Sequence, residues 1–285
     1  MNSVSAKRDR EIKPLARSKG LLLALRVFLS RLVAIALTFS VAIWVLSSSI
    51  QEISSAEPTI AAIETSLESL IGIESLLLAQ ENTIREQSTH VEPTHIIYPE
   101  GWPFPIGLPA SMVLDSNVQV WAQLLSRDAA QLIYENGPNV VLSESATSQD
   151  SWFTVSGLFL RVWSVWNFET HATASTFSKI SFIVSAVFFP LLVIAGVGMG
   201  RFFTSGLIIL ISGFPTIAAF GCGVICWYII APTGIGFPGT MRELGYIALW
   251  QGFYNGLLMS CVGLAWLSFL YLFRWLSSGS QTRPH

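Results

Sequence analysis

The chain has 285 residues, 52% of them hydrophobic and only 12% charged, with a mean hydropathy of +0.56. Soluble domains carry about 25% charged residues, so this composition excludes an ordinary water-soluble domain and points to an integral membrane protein. The net charge of −2 hides an uneven distribution. Lys7, Arg8, Arg10, Lys13, Arg17 and Lys19 crowd the N-terminus, while residues 50–177 carry fifteen Asp and Glu against three Arg. So acidic a segment does not suit nucleic acid, whose phosphates must be neutralised.

Residues 1–31 read as a basic cytoplasmic tail with an amphipathic lead-in. Four apolar stretches then approach the roughly 20 residues needed to cross a bilayer: 32–50, 180–199, 203–231 and 246–273. The first is preceded by basic residues, as a signal peptide would be. Its long apolar run and the poor cleavage site in "SSSIQEISSAE" favour a retained anchor. Lys and Arg near the span ends set orientation. The basic N-terminus, Arg201 in the turn between spans 2 and 3, and Arg274 in the 274–285 tail fall on one side after four crossings. Both termini are therefore expected in the cytoplasm, across a cell membrane of bacterial type.

The expected fold is an all-α integral membrane protein with four transmembrane helices and a mainly helical extracytoplasmic domain, 51–177, between helices 1 and 2. Ile60, Ile63, Leu67, Leu70, Leu77 and Ile84 recur at 3–4 spacing. They predict one amphipathic helix over about 59–86, either prolonging the first span or pairing with a copy of itself. A second helix is expected over about 117–135, capped by Asp115 or Ser116 and stopped by "NGP" at 136–138. "SWFTVSGLFLRVWSVWNFE", 151–169, carries Trp152, Trp163 and Trp166 around Arg161. Indoles favour the membrane–water boundary, so this stretch reads as an interfacial helix. A fifth span would bury Arg161 at a cost of at least about 2.5 kcal/mol.

Chemistry-bearing patterns are few. His90, Glu92 and His95 resemble a metal set, but a five-residue spacing turns the second histidine about 140° around a helix, and Pro93 breaks such a helix. Cys222 and Cys226 share a helix face without an accompanying histidine or carboxylate, and read as buried packing residues. No metal, cofactor or catalytic set is expected.

The segment "STHVEPTHIIYPEGWPFPIGLP" is stiffened by Pro93, Pro99, Pro103, Pro105 and Pro109. On that frame Tyr98, Trp102 and Phe104 either dock a partner or fold back as domain core. Gly196 and Gly200, like Gly252 and Gly256, sit four apart, as suits close helix packing in lipid. Gln251 and Asn255 share one face of the fourth span and call for hydrogen-bond partners.

The layout of one span, an outside domain and three further spans resembles FtsX-type permease subunits of ABC systems. The resemblance is one of topology, and the short "GRFFTSG" link departs from the longer basic segment expected there. The residues themselves point to a non-enzymatic component of a larger cell-envelope assembly, of the secretion, conjugation or envelope-maintenance type. Its expected partners are other membrane or envelope proteins, or further copies of itself, together with the lipid bilayer. A permease subunit is the alternative, and a sensor acting through a partner the third reading.

Overall fold

A computed structural model describes residues 3–138, 161–196, 200–230 and 239–279; for 3–22, 69–70, 230, 239–244 and 278–279 the description covers the backbone alone. Nine helices of six residues or more and one short two-stranded ladder occur among the described residues. In chain order they are α1 (Ser3–Ile53), α2 (Ala56–Ile71), α3 (Ile73–Thr89), β1 (Ile96–Ile97), β2 (Leu108–Pro109), α4 (Ala110–Asp115) and α5 (Val118–Asn136). After them come α6 (Phe168–Ala195), α7 (Gly200–Ser212), α8 (Phe214–Ile230) and α9 (Gly239–Gly279). Four stretches are long and apolar enough to cross a membrane: Leu23–Ile53, Arg161–Ala195, Gly200–Ile229 and Gly245–Ser277. The chain is thus a multi-pass membrane protein by length and composition, with a helical segment between spans 1 and 2.

The chain divides into two compact units. The first, the membrane unit, joins residues 1–47, 177–219 and 253–285. Its small apolar centre is built from Val33, Leu37, Val41 and Val45 of α1 with Leu192 and Ile208. Hydroxyls help to fasten it: Ser40 Oγ donates to the Ser181 carbonyl at 2.8 Å and accepts from Ser185 Oγ at 3.0 Å. Arg26 donates to the carbonyls of Ala195 at 2.9 Å, Ile194 at 3.0 Å and Gly196 at 3.3 Å. Those are the carbonyls that the end of α6 leaves unsatisfied, and a cation there also opposes the helix dipole.

In the same unit α7 and α9 approach through their glycines. A methyl added at Gly263 would strike the Leu210 backbone, and one at Gly256 would lie 2.9 Å from the Ile217 nitrogen and 3.0 Å from the Gly213 carbonyl. At Gly206 it would meet Trp266 at 2.7 Å. The third span is interrupted at Gly213, between α7 and α8. Pro215, in the first turn beyond, supplies no amide hydrogen to continue the ladder.

The second unit joins residues 48–176 and 220–252, and α2 to α5 form its helical core. Trp121, Leu125, Ala129 and Ile133 of α5 are fully buried against Ile63 and Leu67 of α2 and Ile73, Leu77 and Ile84 of α3. Sequence periodicity predicts a single helix here, but two form. Gly72 at φ +63° ends α2 by donating its N–H to the Glu68 carbonyl and opens α3. Glycine adopts this left-handed conformation without the Cβ clash that other residues meet, so apolar spacing runs on while the axis breaks. Nor does α2 prolong α1, because the chain turns at Ser54 and Ser55. The cap of α5 is Asn117 rather than Asp115 or Ser116; its Oδ1 accepts from the Val120 amide at 3.1 Å.

Arg85 ties three helices together. It pairs with Glu81 at 2.9 Å, donates to the carbonyls of Val113 and Ser116, and lies 4.8 Å from the Trp121 ring centroid. Trp121 Nε1 in turn donates to Ser116 Oγ at 2.9 Å. Such a buried indole has its polar edge satisfied and its face covered by a cation, which suits both parts of the ring.

Candidate functional site

Two features of the second unit are open to their surroundings. The first is the proline-stiffened segment. β1 and β2 pair antiparallel, Ile96 opposite Pro109 and Ile97 opposite Leu108, and the intervening residues are pulled back onto α3. Gln80 makes that connection twice: its Nε2 donates to the Glu100 carbonyl and its Oε1 accepts from the Glu100 amide, each at 2.8 Å.

This attachment divides the three aromatics proposed for docking. Phe104 is 3% exposed within the core, and Trp102 packs against it in a tilted arrangement with ring centroids 4.8 Å apart, itself half-buried. The reading of these two as a docking surface is therefore corrected to core; their apolar area is already spent inside the domain. Tyr98 is the one left outward, 57% exposed beside Ile96 at 45%. With Val91, Glu92, Thr94 and His95 it lines a shallow open face.

The second feature is a groove of about 330 Å³. Each of the four spans contributes residues near one of its ends. Glu52 and Ile53 close span 1, Val162, Trp163 and Trp166 open span 2, Trp227 comes near the end of span 3, and Ile247, Ala248 and Gln251 open span 4. Pro58, Thr59, Ala62 and Ser66 of α2 complete the wall.

Gly245 lets Trp227 lie flat on α9, for a methyl there would come 2.5 Å from the indole. Gly252 does the same for Phe220, also at 2.5 Å. The wall hydroxyls are turned to backbone: Ser66 Oγ donates to Ala62 at 2.6 Å and Thr59 Oγ1 to Ile53 at 3.3 Å. The polar side chains facing the groove are then Glu52 and Gln251, joined at 3.3 Å from Nε2 to Oε1.

The remaining residues singled out from the sequence fall as follows. Gln251 has the partner its position calls for, and Asn255 is half-buried one turn away on α9. Gly252 and Gly256 both receive neighbours at close range, whereas Gly196 and Gly200 share no helix face. Gly196 closes α6 and Gly200 opens α7, with open space around the latter.

Trp163, expected at the membrane interface, is 5% exposed and packs into the domain core. Trp166 is half-buried beside it. Trp152 lies outside the described residues, as does most of the expected interfacial helix; 161–165 are helical, and a bend separates them from α6. Cys222 and Cys226 are exposed on α8 rather than buried as expected. His95 and Glu92 are neighbours in a turn, the His95 amide donating to the Glu92 carbonyl at 2.9 Å.

Sequence reasoning missed Glu52, the groove, and Gly206, Gly213 and Gly263. The glycines carried a legible signal: Gly206 and Gly213 are seven apart, as are Gly256 and Gly263. Comparison with family models, with curated proteins and with solved structures returns no match.

Proposed function

We propose that this chain is a non-enzymatic, multi-pass component of a larger cell-envelope assembly, with both termini cytoplasmic and the helical domain outside. The observation that carries the reading is the exposed apolar ridge of Val91, Ile96 and Tyr98, held on a paired and proline-stiffened frame. A rigid strip loses little conformational entropy when it meets a partner. The partner is another envelope protein or a second copy of the chain.

A photo-crosslinking amino acid at position 98, in cells, tests this. A discrete adduct with a second polypeptide is the expected result, with none from the same probe at Glu86 on the exposed side of α3. Absence of any adduct at 98, with the protein extracted as a monomer in several mild detergents, overturns it.

A permease subunit is the second reading, favoured by one feature: the third span is broken at Gly213, and interrupted spans recur where membrane proteins line a path. Replacing Asn255 with Leu then abolishes flux while leaving the folded, assembled protein intact.

A further inference from the structure

The groove at the span ends asks for an occupant, and its dimensions narrow the choice. Its volume of about 330 Å³ lies at the lower end of the range of about 300–1,000 Å³ typical of ligand pockets, which suits a slender apolar chain.

The walls agree with that shape. Three indoles, Ile53, Ala62 and Ala248 offer apolar surface, while the hydroxyls of Thr59 and Ser66 are turned away to backbone carbonyls. Apart from the indole N–H groups, the polar side chains turned to the groove come together at one place, the Glu52–Gln251 pair. An amphiphile with one apolar arm and one polar end matches this division.

Position supplies the source. The groove is bounded by one end of each of the four spans, at the level where a bilayer gives way to water and where indoles are favoured. A bilayer lipid reaches this site without crossing water; a soluble ligand of equal apolarity would have to.

We propose that the groove holds one acyl chain of a bilayer phospholipid, drawn out of the membrane plane and laid against α2, with its ester and head-group end at Glu52 and Gln251. The lipid fills the space between the helical domain and the span ends within this unit, and its apolar arm becomes part of the domain's packing. The inference is independent of the Tyr98 ridge, so failure of either leaves the other standing.

The test uses the full chain in nanodiscs containing phosphatidylcholine with a photoreactive diazirine at the end of one acyl chain. After illumination the labelled residues are mapped by peptide mass spectrometry. Label is expected on α2 at Ala62–Ser66, a helix that ordinary bilayer tails do not reach, as well as on lipid-facing residues near Phe269. Ala62→Phe and Ala248→Phe fill the groove from opposite walls. Either is expected to lower the α2 label at least fivefold while the label near Phe269 stays constant.

Wild-type protein alone can overturn the proposal, by showing label near Phe269 and none on α2. So can an α2 label unchanged in a filled variant that retains its helicity and elution volume. A photo-crosslinker at Ala248 that joins to a second polypeptide instead of lipid overturns it as well.

Discussion

The helical domain and the membrane unit solve the packing problem in opposite ways. In the domain, large apolar side chains point inward: Trp121 is fully buried, with Leu125, Ile133 and Leu77 around it. In the membrane unit many of the largest point outward, and Phe269 at 61% and Leu272 at 59% are exposed on α9. There the contacts between helices pass through Gly206, Gly213, Gly256, Gly263 and the serines of α1 and α6. Water drives burial in the first region. In the second, lipid is as apolar as leucine, so association depends on close backbone approach and hydrogen bonds.

That contrast can be broken by substitution. Trp121→Ala removes a buried ring along with its bond to Ser116 and its contact with Arg85, and is expected to cost about 3–5 kcal/mol. Limited proteolysis of the full chain in detergent should then cut within residues 56–136. Phe269→Ala, of similar size in sequence terms, should leave the digest unchanged; equal sensitivity at the two sites would erase the distinction.

The membrane unit has the complementary weakness. Gly263→Leu forces α9 away from the Leu210 backbone, an overpacking worth about 1–3 kcal/mol. It should show as a lower denaturation midpoint in mixed detergent titrations. Gly200→Leu, placed in open space, should behave as wild type.

Gly72→Ala is expected to cost about 1–2 kcal/mol, because a side chain at φ +63° meets the following carbonyl. Its added methyl also comes 2.9 Å from Ser75 Oγ. The melting temperature of the helical domain reads this directly.

The smallest effect concerns Asp128 on α5. Burial raises its pKa above the ordinary 3.8, with Arg127 pulling it back down. The folded state therefore favours the protonated acid more than the unfolded chain does. Its contribution is fully present below that ordinary value and is lost as pH rises through the carboxylate range. Asp128→Asn should be as stable as wild type or slightly more so at pH 7, and the difference should vanish below about pH 3.8. Only the domain's melt should respond.

How much of this was legible beforehand varies with the physics involved. Apolar run length located four spans and the domain between the first two, because a bilayer imposes a length on its own. The α5 helix was legible down to its C-terminal stop at Gly137. The break at Gly72 was not, since apolar spacing continues in phase across it and only backbone conformation distinguishes a helix from two. Phe104 and Tyr98 lie six residues apart in one proline-rich run, yet one is core and the other surface. The Gln80–Glu100 clip that pins the segment joins positions twenty apart and leaves no local mark. The groove was hidden for the same reason, its wall being assembled from five separate stretches of chain.

Arg26 sets an order of events during synthesis. Its three acceptors lie 168–170 residues further along the chain. At about 5–20 residues per second a ribosome needs roughly 8–34 s to supply them. For that interval the first span stands in the membrane with its guanidinium unclamped, while α2 to α5 emerge and acquire their core. The membrane unit closes afterwards, when the domain has already had time to fold.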